Sequence, residues 1–321
     1  MKTKVINLEI NEISPELLKN YISKKRNKNK FLTNLYRKNI LKIFTTKALD
    51  VEKEKLYPSQ TWASFHTGKP YKEHKCYWYS DFLESEYLIW NKLASRNKTV
   101  GILNCVHSSK VPSDLFKNKN IKFYLPDCFG DRQIAKPLRY KNFNSFNNSL
   151  VSDSARVTGI FNIAKNIIKN IFFIIKDPRS YGISFFSFFC ILKIVYYSFK
   201  KNNKELLRMA QFPLIASIFL DLVNKFKPEY TAVFSNHVAG NMHRYWYAHD
   251  LKSFRNKNKY SKDWIKKNKR IIFIGIDYVD YYLGFLLKEK EFQDSVILIT
   301  SSMGQEANPK FDNRFLAKYH F

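Results

Sequence analysis

Residues 230–246, YTAVFSNHVAGNMHRYW, decide the fold. A continuous apolar run is followed here by a more polar segment in which apolar residues are spaced as in a helix. The run 230–235 predicts a buried strand. Two histidines, an arginine and Trp246 follow, so polar side chains that can bind or react lie at a strand-to-helix junction. This strand-then-helix unit is the building block of an α/β protein.

Four further apolar runs predict strands with the same character. They are residues 4–10, 99–106, 121–125 and 295–300, and the last of them, SVILIT, is typical of a buried strand. Helical patterns follow Ser14-Pro15 and span residues 271–287. Strands that alternate with helices predict an α/β fold with a mostly parallel central sheet and helices on both faces. Ligands of such sheets lie beyond the carboxyl ends of the strands.

The pattern changes between residues 152 and 226, where apolar residues recur at helical spacing without strand signals. We interpret 152–226 as a helical insertion or cap, with residues 1–151 and 227–321 forming the core. Within it, residues 180–199 approach the length of a membrane span. Because Lys193 and several polar residues interrupt this stretch, it favours a buried helix or one that lies at an interface.

The chain has a formal net charge of +28 and a hydrophobic fraction of 45%, which together indicate a folded and strongly basic protein. Such a charge attracts phosphate, nucleic acid or an anionic membrane. Lysine far outnumbers arginine, and bidentate phosphate recognition favours arginine. We therefore expect a solvated lysine-rich surface, no specific nucleic-acid partner and a weak anionic membrane contact as the alternative.

The cysteines and the N-terminus bear on the compartment. The four cysteines are scattered without metal-binding spacing, and the apolar run near Met1 is too short for a signal peptide. We expect reduced thiols and a cytoplasmic protein.

Residues 57–70, YPSQTWASFHTGKP, together with Glu73 and His74, carry a family resemblance. They resemble the nucleophile block of the alkaline-phosphatase-like superfamily, and most closely its type I phosphodiesterase/nucleotide pyrophosphatase branch. The opening residues 5–18 resemble the first strand and metal loop of that family, and residues 280–304 resemble the helix and strand that lead to its Asp-His-Gly motif. The resemblance implies that Thr61 is a nucleophile near a helix N-terminus. A simpler alternative is that Thr61 only caps a helix.

The sequence departs from the family at the metal ligands. Asn11 stands where an Asp is expected, and Ser302-Met303-Gly304 replaces Asp-His-Gly. The middle motif aligns with His237 and Asn241. Because these substitutions remove carboxylates that offset the charge of two zinc ions, the usual two-zinc site is not expected. One divalent ion, zinc or manganese, held by Asn11, His237 and His243 is an alternative, and metal-free anion binding is another.

Two functions follow from the resemblance. In the first, a phosphodiesterase-like hydrolase or transferase uses Thr61 to attack phosphorus. His237 or His243 would orient a metal or donate a proton, and Arg244, with Asn241 and Ser302, would hold the substrate. In the second, a catalytically degenerate relative binds a phosphorylated or sugar-linked small molecule without turning it over.

Overall fold

The computed structural model describes residues 3–46, 56–79, 81, 83–109, 117–129, 134–145, 147–148, 176–254, 259–305 and 307.

Five strands form one parallel sheet, and this confirms the predicted α/β fold. The strands are β1 (Val5–Ile10), β2 (Val100–Leu103), β3 (Ile121–Leu125), β4 (Tyr230–Ser235) and β5 (Val296–Thr300). Their order across the sheet is β3-β2-β4-β1-β5. Each pair of neighbours is parallel, so all carboxyl ends lie at one edge.

Ten α-helices have both of their ends in the described part of the chain. The first five are α1 (Pro15–Ser23), α2 (Phe31–Arg37), α3 (Pro58–Thr67), α4 (Tyr71–His74) and α5 (Ile89–Ser95). The other five are α6 (Phe185–Lys200), α7 (Gln211–Phe226), α8 (His237–His249), α9 (Lys262–Asn268) and α10 (Ile271–Lys288).

The two faces of the sheet bury different side chains because residues alternate along a strand. Ile6, Leu8 and Ile10 of β1 point into the larger core, which also contains residues of α1, α7 and α10. The other face is covered by α3 and α5, whose Ala63 and Trp90 pack against β2 and β3. The predicted helical layers on both faces are therefore present.

The face under α3 is polar where β1 crosses it. Glu9 is fully buried and accepts a hydrogen bond from Asn7 at 3.0 Å, while its carboxylate lies 3.0 Å from the ring of His66 on α3. Thr300 of β5 donates to Asn7 at 2.9 Å. This buried network fixes α3 over the centre of the sheet, because buried polar groups are costly unless paired.

One expectation from the sequence changes. The run 295–300 does form a strand, but β5 lies at the edge of the sheet and is not buried: Val296 is 58% exposed and Leu298 is 40% exposed. Residues 152–175 of the predicted helical insertion lie outside the described residues, so the domain boundaries stay a prediction. In its described part, α7 packs against β2, β3 and β4 as part of the main core.

Candidate functional site

Asn11 is the centre of a polar cluster at the carboxyl edge of the sheet. It follows β1 directly, is 1% exposed and uses its whole amide. Its nitrogen donates to Asn236 at 2.8 Å and to Glu12 at 3.3 Å. Its oxygen accepts from the indole of Trp62 at 2.9 Å and from the hydroxyl of Ser302 at 2.6 Å. The ends of β1, β4 and β5 and the helix α3 are therefore joined through one side chain.

Glu12, His243 and Gln305 extend this cluster towards the surface. The buried carboxylate of Glu12 lies 3.1 Å from Nε2 of His243, whose side chain is 32% exposed. Nδ1 of the same ring lies 2.9 Å from the amide nitrogen of Gln305. The amide oxygen of Gln305 is buried and has no hydrogen-bond partner among the described residues. Turning the amide over would exchange its two atoms but would still leave one of them unpaired.

Aromatic side chains border the cluster on the α3 side. Trp62 is fully buried and packs with Val106 and Phe234. Tyr79 and Phe129 lie against this group, and their rings stack with centroids 4.3 Å apart. Burial raises the pKa of Tyr79, and the nearby carboxylate of Glu12 raises it further. A carboxylate, amides and aromatic rings thus lie close together at one sheet edge.

Thr61 does not have the surroundings of an activated nucleophile. Helix α3 begins at Pro58, and the backbone N–H of Thr61 already donates to the carbonyl of Tyr57 at 3.2 Å. Its hydroxyl donates to the carbonyl of Pro58 at 2.9 Å, within its own helix. Thr61 is therefore neither the cap of α3 nor a residue with an unpaired N–H for a phosphoryl group. The predicted helix start near residue 61 was three residues late, because proline occupies the first helical position.

His237 and Asn241 lie in the packed interior. The two ring nitrogens of His237 bond to the Ser235 hydroxyl at 2.8 Å and to the Gly275 carbonyl at 3.0 Å. Its ring stacks on Phe212, and burial lowers its pKa to about 4. The amide nitrogen of Asn241 contacts the sulfur of Met209 at 3.0 Å. Both side chains are thus engaged in contacts within the protein, and the roles expected for them stay predictions.

Three predicted residues remain at or near the cluster. His243 and Ser302 belong to it through Glu12 and Asn11. Arg244 is exposed on α8, and its guanidinium donates to the carbonyl of Gly240 at 2.8 Å. The structure thus brings together Asn11, His243 and Ser302, whereas the described contacts of the Thr61 hydroxyl are to carbonyls at the start of α3.

A zinc or manganese ion does not fit these donors. The oxygen of Asn11 already accepts two hydrogen bonds, both nitrogens of His237 are bonded, and His243 is paired with the single carboxylate of the cluster. Within the described ranges, no group of three or more His, Cys, Asp or Glu side chains is arranged to hold a metal ion. The expected ligand set of Asn11, His237 and His243 is therefore not assembled.

Four members of the cluster are not among the predicted site residues: Glu12, Trp62, Asn236 and Gln305. Glu12 and Asn236 each lie within two residues of a strand end, which is the signal that could have identified them. Trp62 and Gln305 carry no such signal, because their role depends on how α3 and the segment after β5 pack.

Comparisons with protein-family models, with curated proteins and with solved structures found no significant match to this chain, so the site is interpreted from its own geometry.

Proposed function

We propose that this protein is a catalytically degenerate relative of the alkaline-phosphatase-like superfamily that binds a phosphorylated or sugar-linked small molecule at the Asn11 cluster. The unpaired amide atom of Gln305, beside the half-exposed ring of His243, is the observation that carries this proposal. A buried polar atom without a partner costs free energy, and a ligand hydroxyl would satisfy it.

Sugar-like chemistry is supported by the neighbours of that atom. Glu12 accepts hydrogen bonds, Ser302 and Gln305 are neutral polar groups, and the stacked pair of Tyr79 and Phe129 lies on the aromatic side. Binding sites for small molecules typically combine apolar walls with a few such convergent polar groups. The net charge of +28 favours a ligand that also carries phosphate.

Binding without turnover is supported by what surrounds the expected catalytic groups. The hydroxyl of Thr61 is bonded within its own helix, and a hydroxyl at neutral pH needs a base or metal to become nucleophilic. His237 is neutral at physiological pH and enclosed. The residues that resemble the family's reactive groups are thus engaged in contacts within the protein, which supports binding over turnover.

The test is calorimetric titration with glucose 1-phosphate, methyl glucoside and inorganic phosphate. We expect binding of glucose 1-phosphate that weakens about tenfold in His243→Gln, equivalent to about 1.4 kcal/mol. His249→Gln, at the C-terminal end of the same helix, is the matched control and should bind as the wild type does. Equal losses in the two variants, or no heat with any of the three compounds, would argue against the proposal.

Phosphoester hydrolysis is the second candidate, and the resemblance of residues 57–70 to the superfamily's nucleophile block favours it. The assay is hydrolysis of a nitrophenyl phosphodiester with zinc, manganese or magnesium, in the wild type and in Thr61→Ala. A degenerate binder releases no nitrophenol above the protein-free blank in either case. Turnover that disappears in Thr61→Ala would instead establish the enzyme.

A further inference from the structure

Helix α6 exposes a continuous apolar face. Six of its large apolar side chains are 50% exposed or more, and Phe185 and Phe199 reach 86% and 80%. These six are Phe185, Phe188, Phe189, Leu192, Tyr196 and Phe199. They recur every three or four residues, which places them on one side of the helix along almost its whole length.

The opposite side of α6 holds the helix in this orientation. Its buried residues are Ser187, Cys190, Ile194 and Ser198. The hydroxyl of Ser187 donates to the carbonyl of Pro213 at 3.0 Å, and that of Ser198 donates to the carbonyl of Asn203 at 3.0 Å. Phe186, Ile191 and Tyr197 pack against the core beside these buried residues, and the six exposed side chains lie on the opposite side.

Cationic side chains accompany the apolar face. Lys176 and Arg179 are exposed in the segment that leads into α6, and Lys200 is exposed in its last turn. Between residues 176 and 204 there are six lysine and arginine residues and a single acid, Asp177. An exposed apolar helix face that is flanked by basic side chains marks a contact surface. Its partner would be anionic and would also bury apolar side chains.

A membrane-crossing role is less consistent with the packing. Of the described residues, one run, Leu206–Phe226, is long and apolar enough to cross a membrane, but 67% of its apolar 18-residue stretch is buried. It includes α7, which packs against β2, β3 and β4. Moving it into lipid would uncover the sheet, whereas α6 already has its apolar face outside.

We propose that α6 docks the protein on an anionic bilayer, with its outer aromatic face in the interfacial layer and the neighbouring lysine and arginine side chains against the headgroups. Aromatic rings favour that layer, and basic residues add attraction to anionic lipid. The site at the carboxyl edge of the sheet is not needed for this contact, so the two proposals stand separately.

The experiment is flotation of the full chain with vesicles of phosphatidylcholine alone or with 30% phosphatidylserine. Wild-type protein should float with the anionic vesicles in 0.1 M NaCl and at least tenfold less with the neutral ones or in 0.5 M NaCl. Phe185→Ser/Phe189→Ser should reduce anionic binding at least tenfold. The matched control is Ile40→Ser/Phe44→Ser, since these residues are 64% and 82% exposed outside α6.

Equal flotation of the two double variants would overturn the proposal, because general basicity would then suffice. So would a wild-type dimer in light scattering that ignores vesicles and becomes monomeric in Phe185→Ser/Phe189→Ser, since a second copy would then cover this face. Thermal unfolding of both variants is measured alongside. Exposed positions should leave the unfolding temperature near that of the wild type, so a loss of flotation reports on docking and not on folding.

Discussion

At position 11 an aspartate could keep the two hydrogen bonds that Trp62 and Ser302 donate, but its second oxygen would face two acceptors. The amide nitrogen of Asn11 faces two oxygens, those of Glu12 and Asn236, and a carboxylate in its place would meet both without a proton to donate. We expect Asn11→Asp to lower the free energy of unfolding by about 2–4 kcal/mol, since it buries a charge beside another carboxylate. Urea unfolding at pH 7 measures the loss.

The control for this change is Asn39→Asp, because Asn39 is exposed and its oxygen accepts a hydrogen bond from Lys42. That variant should stay within about 0.5 kcal/mol of the wild type. If micromolar zinc restored the stability of Asn11→Asp in full and left that of Asn39→Asp unchanged, this would contradict our conclusion that the donors do not fit a metal.

His237 makes the stability of the protein depend on pH. Burial lowers its pKa to about 4, against an ordinary value of about 6.5, so the unfolded chain takes up a proton between these values while the folded chain does not. Its contribution is therefore complete above pH 6.5 and is lost as the pH falls towards 4. Burial lowers the pKa of His107 to about 4 as well, which adds a second loss of the same sign.

We expect His237→Gln to lose less stability on acidification than the wild type does. Between pH 7 and pH 5 the difference should be about 2 kcal/mol in the free energy of unfolding. Burial raises the pKa of Asp127 and of Asp280, with the opposite effect on stability, but both proteins carry these groups and their effect cancels. If the free energy of unfolding fell by the same amount with pH in both proteins, His237 would have an ordinary pKa in the folded state.

Two helical glycines separate the effect of packing from that of helix propensity. A methyl group on Gly284 in α10 would overlap the ring of Phe31 in α2, whereas on Gly240 in α8 it would meet the mobile end of Arg244 at 3.2 Å. Alanine favours a helix over glycine by about 1 kcal/mol at either position. Thermal unfolding should therefore show Gly240→Ala stabilised by about 0.5–1 kcal/mol and Gly284→Ala destabilised by about 1–3 kcal/mol.

If Gly284→Ala were more stable than the wild type, α2 would be able to move away from α10 without a loss of packing free energy. Comparing the unfolding free energies of the two alanine variants with each other removes any effect on the unfolded chain that they share, because each replaces one glycine in a helix interior.

The strands were predictable because a parallel sheet buries them on both faces and leaves continuous apolar runs. The exact ends were not. The run 99–106 predicts a longer strand than Val100–Leu103, because Asn104 adopts a positive φ of 61° and bonds through its side chain to the carbonyl of Phe234. The exposure of β5 depends on its place at the sheet edge, which no local pattern encodes.

The candidate site was predictable only where strand ends determine it. Asn11 and Ser302 follow β1 and β5, which are neighbours in the sheet, and their side chains meet. His237 also follows a strand, but as the first residue of α8 its ring faces Gly275 in α10. Which way a side chain leaves the first turn of a helix depends on packing partners that are distant in the sequence.

At the scale of the whole molecule, repulsion among cations opposes folding. Lysine and arginine number 55 against 27 aspartate and glutamate residues, so at least half of the cations have no acid to pair with one to one. Most cation–acid contacts between described residues are at the surface, where a pair contributes about 0–1 kcal/mol. The compact state therefore carries a net electrostatic cost that the unfolded chain, with its charges further apart, does not.

Added salt should therefore stabilise this protein. At 0.1 M ionic strength interactions between exposed charges decay over about 10 Å, and at lower salt the repulsion acts across the whole molecule. Raising NaCl from 20 to 300 mM should increase the unfolding temperature by about 2–5 °C, the size that 1–2 kcal/mol produces in a chain of this length. Sucrose at equal osmolality is the uncharged control and should give a smaller increase, because it leaves the charges unscreened. An unfolding temperature that falls with NaCl would mean that attraction within ion pairs outweighs repulsion among the excess lysines, and the basic surface would then be better paired than its composition allows.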